Sequence, residues 1–199
     1  MTGKNDVIAA ARMGTRDTFV AVGIFTAIFS ERLAREVIPD KLYCVDPYIQ
    51  YLEFEDSLND SEKLAQAREV AHVRMAPFGN RVSFIEDFSV NAAKHFADNS
   101  VDFIYIDGNH AYKFVTQDLE AWYPKLRQGG LMAGDDAHDV DDSLRNANGD
   151  CKIVWLRDEQ GKPTSEGLYG VRKAVQDFCH AHSIQVGWLG YQFIFRKSL

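Results

Sequence analysis

The sequence predicts an α/β fold: a doubly wound, mostly parallel seven-stranded sheet that ends in an antiparallel hairpin. Three observations carry this expectation. β-rich apolar runs and helix-period segments alternate along the chain. Most of the strand-like runs are separated by enough chain for a helical crossover, which parallel pairing requires. The last two runs are joined only by a short turn at Gly190, so they must pair antiparallel.

Each element has its own signal. Thr18 to Gly23 is an apolar β-rich run ending in glycine, and 27–37 places Phe29, Leu33 and Val37 four apart on one helical face. Lys41 to Val45 is a short strand ending at Asp46-Pro47. Ser61 to Ala76 is a helix with Leu64, Ala67, Ala71 and Met75 at spacings of three and four, stopped by Pro77 and Gly79. Val82 to Ile85 is a strand, and Ser89 caps a short helix through Ala97. Val101 to Ile106 is the most strand-like run. Phe114 to Leu126 is a helix with Val115, Leu119 and Trp122 inward, closed by Gly129-Gly130. Leu131 to Gly134 is a strand, Leu168 to His182 a helix, and the terminal strands lie near Ile184–Trp188 and Gln192–Arg196. This pattern is Rossmann-like. A polar, turn-rich stretch, 139–167, interrupts it, with one strand-like run at Lys152–Leu156. It reads as an insertion or substrate loop within a single domain spanning 1–199.

Composition narrows the function. Hydrophobic residues are 46% and charged residues 26%, which suits a packed domain and not a disordered chain. The longest apolar runs are broken by Gly23 and Thr26, well short of a membrane span, and Met1 to Arg12 has no signal-peptide core. A net charge of −7 lacks the basic footprint of a duplex nucleic-acid binder. Cys44, Cys151 and Cys179 form no close pair or zinc spacing and read as free thiols of a reducing compartment, so a cytoplasmic protein is expected. The terminal hairpin offers an edge through which two copies could pair as a homodimer.

In an open parallel sheet, ligands bind beyond the carboxyl ends of the strands. This chain ends its strands with Gly23, with Asp46, with Glu86-Asp87-Phe88-Ser89, with Asp107-Gly108-Asn109-His110 and with Asp135-Asp136-Ala137-His138. Gly23 permits a sharp turn and close ligand approach. Asp46 can accept both hydroxyls of a ribose, or simply form a turn before Pro47. Asp87 and Ser89 can read an adenine edge on which Phe88 stacks, or serve only to cap a helix. No GxGxxG is present, which weighs against a dinucleotide and suits a nucleoside ligand without phosphates.

The run from Arg81 to Asp136, with IDGNHAY followed by a downstream GG and an acidic pair, resembles the class I S-adenosylmethionine-dependent methyltransferases. It is most similar to a small stand-alone branch marked by IDG-x-H-x-Y. VGIFTAIFSERLA and KLYCVDPY stand where that family has its first glycine motif and ribose carboxylate. The resemblance covers about 17–138 and then the helix and hairpin of 168–197. It implies S-adenosylmethionine as cofactor, bound by Gly23, Phe25, Asp46, Asp87, Phe88, Ser89 and Asp107. The chain departs from the family at Ala21, commonly acidic, at Ala27, commonly glycine, and at Asp135-Asp136-Ala137, commonly HDY.

Asp107, Asp135 and Asp136 close adjacent strands. Three convergent carboxylates repel unless a cation lies between them, and an all-oxygen set selects Mg²⁺ first. The arrangement is similar to that of catechol-type and sugar O-methyltransferases. His110 stands at the same mouth as a candidate base, or as a structural histidine of the turn; His138 is a weaker candidate, and Tyr112 covers the cofactor or packs under its helix. The expectation is therefore an enzyme that methylates a hydroxyl of a small molecule or sugar, with Asp107 and His110 catalytic and Mg²⁺ on the three aspartates. The alternative is a nucleoside-binding protein without turnover, for which Ala21 and Ala27 speak. A nicotinamide dehydrogenase is disfavoured by the missing GxGxxG.

Overall fold

Phe19 and Ala21 of β1 (Thr18–Val22) pack into the core on one side of the central sheet, and Val20 and Val22 into the core on the other. All four are buried, as a central strand covered on both faces requires. The computed structural model describes residues 2–50, 60–137 and 170–198. Within them the sheet is completed by β2 (Lys41–Val45), β3 (Val82–Ile85), β4 (Val101–Ile106), β5 (Leu126–Gly134), β6 (Gly187–Leu189) and β7 (Gln192–Arg196). Its seven strands run in the order β3-β2-β1-β4-β5-β7-β6. The pairs from β3 through β5 are parallel, and β7 pairs antiparallel to both β5 and β6. The predicted doubly wound sheet with its terminal hairpin is thus found. The strand order reverses between β1 and β4, so a crevice opens at their carboxyl ends.

Helices cover both faces. On one lie α1 (Thr2–Arg12), α2 (Ile28–Arg32) and α3 (Ser61–Met75), packed on Phe19, Leu42, Cys44, Phe103 and Tyr105. On the other lie α4 (Ser89–Ala92), α5 (Tyr112–Trp122) and α6 (Val171–Ala181), packed on Val20, Val22, Ile104 and Ile106. Trp122 is fully buried there, as its spacing predicts.

Several elements differ from expectation. Helix α1 was not expected, because the polar segment carries only Val7, Ile8 and Ala11 as a buried stripe. The second helix divides into α2 and a wider turn, Leu33–Val37, closed by Ile38 N–H donating to the Leu33 carbonyl. The fourth stops at Ala92 and continues as a single tight turn, Ala93–His95, not to Ala97. Its cap residue is Phe88, and Ser89 Oγ instead accepts from Trp122 Nε1 at 2.9 Å. Helix α5 ends at Trp122, two residues before Pro124, and Gly129-Gly130 lies inside the longer strand β5 rather than closing a helix. The hairpin's first strand is the shorter Gly187–Leu189. The strand-like run at 152–156, His138 and Cys151 lie outside the described residues. Cys44 and Cys179 are buried free thiols. Among the described residues, no helix is long and apolar enough to cross a membrane.

Candidate active site

The loop after β1 is built to touch the loop after β4. Gly23 has φ +73°, and a Cβ there would overlap the Asp107 carbonyl and the Gly108 Cα. No other residue fits that turn and that approach together. Phe25 and Ala27 also have positive φ, at 46° and 60°. Ala27, standing where the family commonly has glycine, therefore holds the same left-handed conformation at some strain. Asp46 at the end of β2 braces the turn. Its Oδ2 accepts from Phe25 N–H at 2.9 Å, its Oδ1 from Tyr48 N–H at 2.9 Å, and Tyr48 OH donates to the Phe25 carbonyl at 2.8 Å. Burial raises the Asp46 carboxyl above its ordinary range, against the pull of those two amides.

A cavity of about 680 Å³ opens at the β1/β4 crevice. Gly23, Val45 and Pro47 form one wall, Phe88 and Ser89 another, and Gly108, Asn109 and Asp118 the floor beside α5. Its lining is mostly apolar, as small-molecule sites are. Phe88, at the cavity edge, is 40% exposed. Asn109 accepts from Ala111 N–H at 3.0 Å through Oδ1, while its buried Nδ2 has no hydrogen-bond partner among the described residues. Asp118 is a buried carboxyl pushed up to about 7 by burial, with the Ser89 hydroxyl bond working the other way.

On the far side of the same loop, Asp107, His110 and Asp136 form a cluster whose ligand atoms lie within 4.8 Å of one another. His110 Nε2 stands 3.3 Å from Asp136 Oδ2 and 3.7 Å from Asp107 Oδ1. Asp136 has φ +56°, which an aspartate tolerates at a turn. Burial pushes Asp107 up to about 6. Burial also works to lower the His110 pKa, but the carboxylates of Asp107, Asp136 and Asp135 outweigh it and raise it above the ordinary histidine range.

Asp135 stands differently from the other two aspartates. Its Oδ1 accepts from Gln192 Nε2 and from Asp136 N–H, and its Oδ2 lies 2.5 Å from Lys4 Nζ. Gln192 is itself held by Tyr105 OH, which donates to Oε1 at 2.6 Å. The Lys4 ammonium also lies 3.8 Å from Asp107 Oδ2. Two of the three carboxylates, Asp135 and Asp107, therefore face a cation, and that cation is a lysine of the N-terminal helix, while Asp136 faces His110.

Of the residues singled out from sequence, Gly23, Phe88 and Ser89 line the cavity. Asp46 and Phe25 build its neighbouring loop. Asp87 turns to α4, accepting from Phe88 N–H at 2.7 Å and Asn91 Nδ2 at 3.1 Å. Asp107 and Asp136 meet His110 rather than Asp135. Tyr112 OH donates to Asp177 at 2.9 Å, joining α5 to α6. Sequence reasoning missed Lys4, Gln192, Asn109 and Asp118. The last two carry a usable signal, an amide inside IDGNHAY and an aspartate on an apolar helical face. Lys4 and Gln192 carry none, since only the tertiary fold brings them to Asp135.

A family model described as a methyltransferase domain matches residues 20–137. A search of curated proteins gives no match. Solved structures share the fold. A Corynebacterium glutamicum protein superposes with a TM-score of 0.63 at 17% identity, covering 98% of this chain and 80% of its own. A putative caffeoyl-CoA O-methyltransferase from Staphylococcus aureus gives 0.64 at 15% identity, covering 97% and 82%. A SAM-dependent methyltransferase from Aquifex aeolicus gives 0.56 at 16% identity, covering 98% and 88%. The family match spans the strand ends that carry the cavity and the acidic cluster, and so the chain belongs to the methyltransferase family, as an enzyme of class I, S-adenosylmethionine-dependent architecture.

Proposed function

We propose that the enzyme transfers a methyl group from S-adenosylmethionine to a hydroxyl of a small molecule or sugar. The observation that carries this reading is the two-sided loop after β4. Gly108 and Asn109 line a nucleoside-sized cavity, and the flanking Asp107 and His110 face Asp136 on the other side. A cofactor held on one side and an acceptor on the other would meet across Asp107. The orphaned Asn109 amide supplies a donor to the cavity, and Phe88 an aromatic face. Two similar structures are described as an O-methyltransferase and a SAM-dependent methyltransferase, in keeping with this assignment.

Most of the acceleration would be positioning, because two reactants held at attack distance gain roughly 7–11 kcal/mol. Asp46 keeps the first loop in its turn, and Gly23 lets that loop close on Asp107 and Gly108 at the cavity wall. His110 Nε2 takes the acceptor's hydroxyl proton, and Asp107 and Asp136 stabilise the resulting imidazolium. The donor set also fits a hard divalent cation, which Asp107 and Asp136 would hold beside His110. Such an ion, when bound, supplies charge that lowers the pKa of a coordinated hydroxyl.

The test is calorimetric titration with S-adenosylhomocysteine and NAD, followed by methyl transfer to a panel of sugar and phenolic hydroxyls. Binding of S-adenosylhomocysteine alone, with turnover on one hydroxyl class, is the expected outcome. Binding without turnover on any acceptor would favour the nucleoside-binding alternative, and binding of neither would remove the cofactor assignment.

A further inference from the structure

We propose that Lys4 is the resident counter-cation of the strand-end acidic cluster and excludes a divalent metal ion from Asp135. The inference rests on the acidic cleft of the proposed function, and it concerns which carboxylates that cleft leaves open. Asp135 is engaged at both oxygens: Gln192 and the Asp136 amide donate to Oδ1, and the Lys4 ammonium lies 2.5 Å from Oδ2. The same ammonium stands 3.8 Å from Asp107 and 5.6 Å from the centre of the Phe29 ring, whose face favours a cation. A divalent ion bridging Asp107 and Asp135 would have to take the place of that ammonium, since two cations cannot share those oxygens.

The placement of Lys4 is built into the helix. A Cβ on neighbouring Gly3 would overlap the Leu189 carbonyl and press on the Gln192 side chain, so α1 reaches β6 and β7 only because residue 3 lacks one. This backbone approach sets Lys4 beside the same Gln192 that holds Asp135. Lysine and metal are thus alternative partners of Asp135, and with Lys4 in place an ion finds only the carboxylates of Asp107 and Asp136, beside His110.

The experiment is calorimetric titration of the full chain with Mn²⁺ and Mg²⁺, for the wild type, K4Q, K4R, D135N and K4Q/D135N. K4Q is expected to bind Mn²⁺ at least tenfold more tightly than the wild type, and K4R to stay within threefold of it. D135N alone is expected to change affinity less than threefold, while in the K4Q background it removes the tenfold gain. A purely structural lysine would lower the melting temperature of K4Q without producing this coupling. K4A gives the same comparison should K4Q not fold. Equal or weaker metal binding by K4Q, a large loss in D135N alone, or no metal binding by either Lys4 variant would overturn the proposal. S-adenosylhomocysteine titrated into the same proteins separates the two readings: its failure to bind the wild type sinks the function, whereas the metal comparison judges Lys4 alone.

Discussion

Gly23 and Asp107 meet backbone to backbone, with no room between the first and fourth strand-end loops for a single methyl group. The contact joins the cavity wall to the acidic cluster. Replacing Gly23 with alanine forces a side chain into that contact at φ +73°. The left-handed conformation alone costs roughly 1–2 kcal/mol, before any clash. G23A is expected to melt several degrees lower and to bind S-adenosylhomocysteine at least tenfold more weakly. Wild-type affinity in calorimetry would place the cofactor elsewhere.

Asp46 both braces the first loop and stands where a ribose would be gripped. D46A removes the acceptor of two backbone amides, Phe25 and Tyr48, and is expected to lose about 2–3 kcal/mol of S-adenosylhomocysteine binding. D46N keeps an acceptor for one amide and should retain the melting temperature better than D46A. If D46A and D46N bind the nucleoside as the wild type does, Asp46 acts on the loop only.

His110 is assigned to the acceptor's proton and not to the metal. H110A is expected to lower kcat by about 10²–10⁴-fold, the usual contribution of a general base, while S-adenosylhomocysteine affinity stays within threefold. Mn²⁺ titration of the same variant separates the roles. An unchanged metal affinity supports the base, and a large loss would make His110 a ligand instead.

Asp118 links stability to pH. Its carboxyl is pushed up to about 7 in the folded chain by burial, above an unfolded value near 3.9. The folded state therefore prefers the protonated form, and this preference favours folding fully below about pH 4. It is lost as pH rises from about 4 to about 7. D118N has no such proton to lose, so its stability relative to the wild type should improve across that window by roughly 2–4 kcal/mol. Urea melts of both proteins at pH 4.5 and 7.5 give the difference directly. A constant difference between the two pH values would show that Asp118 stays ionised in the fold.

Alternation of apolar runs, turn residues and the chain length between strands were enough to determine the strands, their mostly parallel sense and the terminal hairpin, because each of these depends on local pattern and connection length, whereas the strand order came from the tertiary structure. The strand ends were legible for the same reason: Gly23, Asp46, Asp107 and Asp136 follow their strands directly, and the order reversal between β1 and β4 brings Gly23 to Asp107. Element boundaries were less legible where packing overrode local signals. The Gly129-Gly130 pair is strand because Lys197, just past β7, accepts from the Gly129 N–H and donates to the Gly130 carbonyl, although β4 skips these residues and the two glycines alone read as a helix stop. The charge balance of the site was decided by tertiary structure alone. Three aspartates in adjacent turns imply a cation, but nothing local says that Lys4 supplies it, that Gln192 orients Asp135, or that His110 replaces Asp135 beside Asp107 and Asp136. Coulombic and hydrogen-bond partners are set by which elements the core packs together, and α1 reaches this cleft by lying across the hairpin formed at the opposite end of the chain.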